Sequence, residues 1–301
     1  MSLIVTGSIG IDTIETPNGS ASDVLGGSAP YFAAASSFFT DVRLVAAVGE
    51  DFPEQHLDTF KHFNVDLAGL EKRSGSKTFR WSGKYHENMN ERDTTAVELN
   101  VLAEDLPPVP EQYKDSEIVF LANTHPAGQQ ALLEQFPNRK LAIADTMDLW
   151  IENENAALKD LLRNLDGLVL NDQEAFQLTG KTNIVRAAEA VIEMGPRFTV
   201  IKKGEHGAFL MHEDGMAAIP AFAARDVVDP TGAGDSFAGG MLGHLADTKD
   251  FSLANLRRAI AYGTVVASFN IESFSLDRLK KLQRQEIDDR LAHFRELLVT
   301  D

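Results

Sequence analysis

The chain has 301 residues, of which 44% are hydrophobic and 24% charged, and it carries a formal net charge of −17 with no cysteine. That charge argues against a nucleic-acid groove, which needs clustered Lys and Arg, and the lack of cysteine excludes disulfides and thiolate chemistry. The length suffices for one large α/β domain, or two smaller ones, with a substantial core.

Strand-like and helix-like segments alternate from the N-terminus onward. The apolar, β-rich runs are 3–7, 42–49, 117–123, 140–146, 167–171, 198–204 and 207–212. The helix-periodic segments are 28–39, 126–136, 151–164, 183–194, 231–247 and 276–299. This alternation predicts a mostly parallel sheet with helices on both faces, and several strand-like runs end in polar residues, where such sheets bind ligands.

The N-terminus and the hydropathy bear on localisation. Residues 1–15 contain a short apolar run without a basic segment or a small-residue cleavage site, so they predict a first strand and not a signal peptide. No run approaches the roughly 18 apolar residues of a membrane span. We therefore expect a cytoplasmic protein without a membrane partner.

One region interrupts the alternation. Residues 72–101 predict two strands of period 2 around a polar turn at 86–91, and residues 12–25 are polar and rich in turn-forming residues. We expect these two stretches to form a small β-lid inserted into a single domain, 1–301. A surface hairpin without a role is the alternative, and the edge of such a lid also offers a pairing surface for a homodimer.

The stretch 226–246, DVVDPTGAGDSFAGGMLGHLA, predicts an anion site at a helix N-terminus. Pro230 cannot continue a strand, and Thr231 is a residue type that caps helices. Residues 232–234 then allow a tight turn with outward N–H groups, in front of a helix whose positive end favours an anion. Asp235 falls in the first turn of that helix. A phosphate site of this kind is compatible with an acidic chain, because the donors are backbone groups.

Other common site types are absent from the sequence. There is no G-x-x-x-x-G-K-[ST] motif, no G-x-G-x-x-G after the first strand, and no His spacing typical of zinc. Five segments, in order, resemble instead the ribokinase (PfkB) family of carbohydrate and nucleoside kinases. They are 5–14 (VTGSIGIDTI), 26–35 (GGSAPYFAAA, followed by 42–52), 171–180 (NDQEAFQLTG), 201–210 (IKKGEHGAFL, with the pattern K-x-G-x-x-G) and 226–246.

The resemblance covers nearly the whole chain and implies both a fold and an activity. The fold is a ribokinase-like three-layer α/β/α arrangement with a mostly parallel central sheet and a small β-lid. The activity is transfer of the γ-phosphoryl group of Mg-ATP to a hydroxyl group. In this family Asp235 is implied to be the general base, and the N–H groups of Gly232, Ala233 and Gly234 the anion hole.

The resemblance also implies binding residues for both substrates. For the nucleotide they are Asn171, Lys203, Gly204, Thr231, Gly232 and Gly234. For the phosphate acceptor they are Asp12, Gly26, Gly27, Tyr31 and Asn123, with Arg80, Trp81 and Lys84 of the lid as further candidates. Tyr31 is a departure, because many members have Asn near that position.

Two metal ions are implied. Glu174, with Asn171, is implied to organise Mg²⁺ through water, although Asn followed three residues later by Glu is also the pattern of a helix capping box. Asp229 is the candidate for a monovalent cation, K⁺, with backbone carbonyls near Val266, Phe269, Ile271 and Ser275. Ordinary helix-and-loop structure is the alternative there.

Three functions are compatible with this pattern. The first is an ATP-dependent kinase for a sugar, and the second is a nucleoside kinase of the adenosine type. The third, from another class, is a non-catalytic protein that senses a nucleotide or a sugar on the same scaffold. An intact T-G-A-G-D segment favours the two kinases, because loss of the Asp would be the simplest route to a sensor.

Overall fold

Thirteen strands form two sheets in the computed structural model of this chain, which describes residues 1–298. The strands are β1 (Leu3–Thr6), β2 (Gly10–Thr16), β3 (Gly19–Gly26), β4 (Val42–Gly49), β5 (Asp66–Arg73), β6 (Phe79–Tyr85), β7 (Arg92–Glu98), β8 (Ile118–Leu121), β9 (Leu141–Asp145), β10 (Gly167–Asn171), β11 (Phe198–Lys202), β12 (Ala208–His212) and β13 (Gly215–Ile219). The main sheet has nine of them in the order β13-β12-β11-β10-β9-β8-β1-β4-β5. Its pairings are parallel from β11 to β5, and only β12 and β13 pair antiparallel. The predicted, mostly parallel sheet is confirmed.

Helices cover both faces of the main sheet. Within residues 1–298 they are α1 (Ser28–Ser36), α2 (Glu54–His62), α3 (Pro126–Leu133), α4 (Asp148–Asn153), α5 (Asn155–Leu162), α6 (Asp172–Thr179), α7 (Ile184–Glu193), α8 (Ala233–Thr248), α9 (Leu253–Asn270) and α10 (Arg284–Leu297). Alternate residues of β1 enter different cores: Leu3 and Val5 pack with α1, α8 and α9, whereas Ile4 packs with α3, α5 and α7. These two cores make the fold three-layered.

The second sheet lies over the carboxyl edge of the first and has the order β3-β2-β6-β7. It is built from both stretches that the sequence predicts to be polar strands, although Lys72 and Arg73 lie in β5 of the main sheet. Strand β7 is an exposed edge. Pairing of two copies through this edge stays a prediction.

Some predicted helices differ in extent. The segment 151–164 contains two helices, α4 and α5, because the chain breaks at Glu154. The last helix covers 284–297, and Val299 of the predicted segment 276–299 lies outside the described residues. No helix within residues 1–298 combines the length and apolar composition that a bilayer crossing requires.

Candidate active site

The loop 230–235 turns directly into α8. Gly232 caps this helix with φ at +74°, in the left-handed region that favours glycine. The N–H of Ala233 donates to the carbonyl of Pro230 at 3.1 Å, whereas those of Gly232 and Gly234 have no acceptor in the part of the chain described. Two of the three N–H groups predicted to bind an anion are therefore free, at the positive end of a 16-residue helix.

Thr231 holds this loop in place through three contacts. Its hydroxyl donates to the hydroxyl of Tyr85 in the second sheet at 3.1 Å. Its carbonyl accepts from Asn270 Nδ2 at 2.9 Å, and its N–H donates to Asp229 Oδ1 at 2.9 Å. The position of the loop is thus fixed from both the second sheet and the C-terminal helices.

Asp229 is buried and ties the loop to a second segment. Its other oxygen, Oδ2, accepts from the N–H of Ser275 at 3.3 Å. Burial raises the pKa of Asp229, and the N–H groups of Thr231 and Ser275 oppose that rise. The carbonyl of Ile271 accepts from the N–H groups of both Val228 and Asp229, so both of its lone pairs are in use.

Asp235 lies in the first turn of α8, next to the free N–H groups. Burial raises the pKa of Asp235 from 3.8 to about 6; the nearby Lys202 ammonium opposes this rise, and Glu174 adds to it. A carboxyl group with a pKa near 6 is a competent proton acceptor at neutral pH. Its surroundings therefore suit the role of general base.

Two further carboxyl groups lie at the ends of neighbouring strands. Asn171 and Glu174 form a complete capping box at the start of α6, with distances of 2.8 Å and 2.7 Å between side chain and backbone N–H. At the end of β9, Asp145 Oδ1 is buried without a hydrogen-bond partner in residues 1–298. Burial raises the pKa of Asp145 well above its usual value and also raises that of Glu174. The charge of Glu174 also contributes to the raised pKa of Asp145, so a positive charge near the two carboxyl groups would favour their ionised forms.

Asp12 lies in β2, on the opposite side of the loop. A Cβ on Gly26 would lie 1.9 Å from Asp12 Oδ2, so only glycine leaves space for this carboxyl group. Gly27 has φ at +90°. Burial raises the pKa of Asp12 to about 7, with the charge of Asp229 as the next cause, and Oδ1 has no partner among residues 1–298.

Tyr31 is 1% exposed and lies under the loop. A Cβ on Gly232 would be 2.3 Å from two atoms of the Tyr31 ring, so the ring faces the glycine directly. The hydroxyl has no hydrogen-bond partner in residues 1–298, and burial raises its pKa, as do the charges of Asp229 and Asp12. Tyr31 therefore contacts the loop at Gly232 and lies close enough to Asp12 to be affected by its charge.

Asn123 uses its amide within the protein. Its Oδ1 accepts from Trp150 Nε1 at 2.8 Å, and its Nδ2 donates to the sulfur of Met147 at 3.0 Å. His125 meets the Trp150 ring edge-on, with 5.2 Å between ring centroids. The side chain predicted to bind the acceptor thus fixes a half-buried tryptophan at the strand ends.

The second sheet presents an aromatic face to the loop. Alternation along β6 places Phe79, Trp81 and Tyr85 on one side. Trp81 is in register with Asp12 of β2, and the Tyr85 hydroxyl bonds the loop as described above. A Cβ on Gly83 would lie 2.1 Å from the Trp81 ring, so this glycine makes room for the indole. We call Phe79, Trp81 and Tyr85 the aromatic inner face.

Charged residues of the second sheet divide between its two sides. Arg80 pairs with Asp23 at 3.0 Å and with Asp51 at 3.5 Å, and Lys84 pairs with Glu15, so both belong to the opposite side of β6. Arg92 lies opposite Tyr85 on the inner side, 5.9 Å from the centroid of the Trp81 ring. Of these three cations of the second sheet, Arg92 is therefore the one on the inner side, and its sequence pattern did not indicate this.

A cavity of about 430 Å³ lies beside the N-terminus of α8. Its walls are largely apolar, with Gly204 at one edge, and residues 88–90 at the tip of the second sheet also line it. Asn90 Nδ2 donates to Glu205 Oε1 at 3.1 Å, which joins this tip to the β11–β12 turn.

Lys202, and not the predicted Lys203, lines this cavity. A Cβ on Gly234 would lie 2.8 Å from Lys202 Nζ. In the sequence, Lys202 is the first residue of the K-x-G-x-x-G pattern, which was the available signal. Lys203 is held through its backbone, where its N–H donates to the carbonyl of Gly207 at 2.7 Å.

The sequence of the chain is similar to those of known kinases. The family model described as "pfkB family carbohydrate kinase" matches residues 4–280. A cytidine kinase of Thermococcus kodakarensis is 30% identical over 251 residues, which is 80% of this chain and 87% of that protein. A ribokinase of Haemophilus influenzae is 29% identical over 117 residues, or 37% of this chain and 36% of that protein.

Solved structures share the fold. A Burkholderia thailandensis nucleoside kinase, in complex with inosine, superposes with a TM-score of 0.78 at 21% identity, covering 97% of this chain and 98% of that one. A ribokinase from Giardia lamblia gives 0.80 at 15% identity, covering 97% and 99%. These likenesses confirm the predicted three-layer fold.

Proposed function

We propose a function from one premise: the chain belongs to the pfkB family of carbohydrate kinases, and so is a phosphotransferase with a hydroxyl acceptor. Our proposal is that ATP is the donor and that a nucleoside is the acceptor. From the sequence we expected a free sugar first and a nucleoside second. The observation that reverses this order is the aromatic inner face, in which Trp81 lies in register with Asp12.

An aromatic wall suits a planar base. Stacking of a base on an aromatic side chain contributes about 1–3 kcal/mol, and a free sugar has no π-face to use it. Asp12, with one oxygen unpartnered among residues 1–298, accepts hydrogen bonds from the vicinal hydroxyls of a ribose. Trp81, which pairs with Asp12 in the sheet, then stacks on the base of the same nucleoside. The similarity to a cytidine kinase supports the same acceptor class.

The phosphoryl group is transferred at the N-terminus of α8. Asp235 takes the proton from the attacking hydroxyl, and the free N–H groups of Gly232 and Gly234 stabilise the charge on the transferring group. The cavity of about 430 Å³ beside these groups holds the nucleotide. In-line attack then needs only that both substrates meet at the loop.

Magnesium fits the residues present. The unpartnered oxygen of Asp145 and the carboxylate of Glu174 would hold it, in part through water, because Mg²⁺ retains several waters and takes few protein ligands. Magnesium would neutralise charge on the nucleotide phosphates. For a monovalent cation the Ile271 carbonyl is a poor ligand, since it already accepts two N–H groups, whereas each oxygen of Asp229 accepts only one and keeps a lone pair.

The test is an acceptor screen with Mg-ATP. We expect cytidine, inosine or adenosine to have at least tenfold higher kcat/KM than ribose or fructose, measured as ADP release and confirmed by mass spectrometry of the product. Trp81→Ala should raise KM for the best nucleoside about tenfold or more by removing the stacking surface, whereas Trp81→Phe should retain most of it.

One control variant and two possible outcomes decide between the alternatives. Leu149→Ala changes a side chain that is 40% exposed and outside the aromatic inner face, so it should leave KM for the acceptor unchanged. Higher kcat/KM for a free sugar than for every nucleoside would overturn the acceptor proposal, and equal KM values for wild type and Trp81→Ala would remove the role of the aromatic inner face.

A further inference from the structure

One cation stands among the carboxyl groups of the site. Lys202 ends β11, and its ammonium lies against Gly234 in the first turn of α8, where a Cβ would be 2.8 Å from Nζ. It lines the nucleotide cavity together with Gly234 and Ala233. It therefore lies beside the free N–H groups that are proposed to receive the transferring phosphoryl group.

No direct hydrogen bond or ion pair explains this placement. The N-terminus of a helix carries positive partial charge, so it repels an ammonium. Within residues 1–298, Lys202 Nζ forms no hydrogen bond and no ion pair within 4.0 Å, whereas Lys84 and Lys140 are paired with Glu15 and Glu117. What distinguishes Lys202 is its place, because this half-buried ammonium lies in a cavity wall beside the first turn of a helix and has no close anionic partner within residues 1–298.

Three carboxyl groups surround it at longer range. The Lys202 ammonium opposes the burial-driven rise in the pKa of Asp145, Glu174 and Asp235. These groups share the ammonium, and none of them makes a hydrogen bond with it. Its donors therefore remain available to a ligand, and a phosphate is the ligand that would bring negative charge to this point.

We propose that Lys202 is a catalytic residue that binds the γ-phosphoryl group of the nucleotide during transfer. This inference rests on the proposed function for the identity of the donor. In the step, the bond between the γ-phosphorus and the β–γ bridging oxygen breaks, and ADP leaves with the electron pair. The acceptor oxygen bonds the γ-phosphorus and gives its proton to Asp235. Lys202 stays protonated and donates hydrogen bonds to a non-bridging oxygen of the γ-phosphoryl group.

The test compares nucleotides that differ only in that group. In the full chain, binding of a non-hydrolysable ATP analogue and of ADP is measured by calorimetry in Mg²⁺. Wild type should bind the analogue more tightly than ADP, and Lys202→Met should lose at least tenfold of that preference while its affinity for ADP changes little. The kcat of Lys202→Met should fall about 10²-fold or more, and Lys202→Arg should recover part of it.

Lys140→Met is the matched control, because Lys140 directly precedes β9, at the amino ends of the parallel strands, and pairs with Glu117. It should keep the wild-type preference. If Lys202→Met unfolds, Lys202→Gln gives the same comparison with a side chain that remains polar. An unchanged preference in a folded variant, or equal losses for the analogue and ADP, would overturn the inference.

The two proposals fail in different ways. If no nucleoside is phosphorylated but the preference for the analogue is lost in Lys202→Met, the acceptor proposal falls and the role of Lys202 stands. If a nucleoside is phosphorylated and the variant keeps the preference and the rate, only the role of Lys202 falls.

Discussion

The contact between Gly232 and Tyr31 allows the anion-binding loop to be perturbed by a single methyl group. In Gly232→Ala, the new Cβ would lie 2.3 Å from ring atoms of Tyr31, about 1.1 Å short of the 3.4 Å at which ordinary contact begins. The ring is 1% exposed and packed on all sides, so it cannot give way by that amount. The loop must move instead, and its N–H groups move with it.

The size of the effect follows from that displacement. A shift of roughly 1 Å in groups that position a transition state costs about 10² in rate. A non-glycine residue at positive φ adds about 1–2 kcal/mol of destabilisation. We therefore expect Gly232→Ala to lose about 10²-fold in kcat with the best acceptor and to unfold at a lower temperature, while the purified protein keeps its fold by circular dichroism.

Gly75→Ala is the matched control for this variant. Gly75 has φ at +78°, close to the +74° of Gly232, but a Cβ there has no neighbour within 4 Å. It should lose a similar amount of stability from the backbone alone and keep kcat. A folded Gly232→Ala enzyme with kcat within threefold of wild type would refute the argument that this loop positions the transferring group.

Two more predictions follow from the carboxyl groups. Asp235→Asn should abolish turnover and leave nucleotide binding nearly intact, and an Asp235→Asn enzyme with most of its kcat would contradict the role of Asp235 as the base. In the wild type, kcat/KM should fall about tenfold per pH unit below about pH 6, where Asp235 gains a proton. Burial raises the pKa of Asp12 from 3.8 to about 7, so the folded state binds this proton more tightly and loses stability as the pH rises from 4 to 7. Asp12→Asn should therefore raise the melting temperature more at pH 8 than at pH 4, and an equal change at both values would count against this.

Local patterns allowed part of the site to be predicted. Gly and Pro spacing in 230–235 indicated the turn and the helix start, because those residue types act through their own backbone angles. The capping pattern of Asn171 and Glu174 is likewise local, and both of its hydrogen bonds are present. The alternation of strands and helices gave the main sheet, since each segment buries its own apolar face.

Contacts between distant segments escaped prediction. Tyr31 and Gly232 are about 200 residues apart, and no spacing rule indicates that a ring meets a glycine. The acceptor contact of Asn123 stays a prediction, and nothing in the sequence indicated that its amide also bonds Trp150 and Met147. Lys202 and Lys203 are adjacent and chemically identical, so only the direction of each side chain at the strand end distinguishes them.

The hydrogen bond between Asn90 and Glu205 has a consequence for the order of events in a catalytic cycle. Residues 88–90 connect β6 and β7 and contact the β11–β12 turn, and β2 carries Asp12. All three strands belong to one four-stranded sheet. If this sheet moves as a rigid body, it cannot uncover one substrate and keep the other enclosed. Both products then gain access to solvent in the same opening, and water is excluded from the nucleotide only while the acceptor side is also shut.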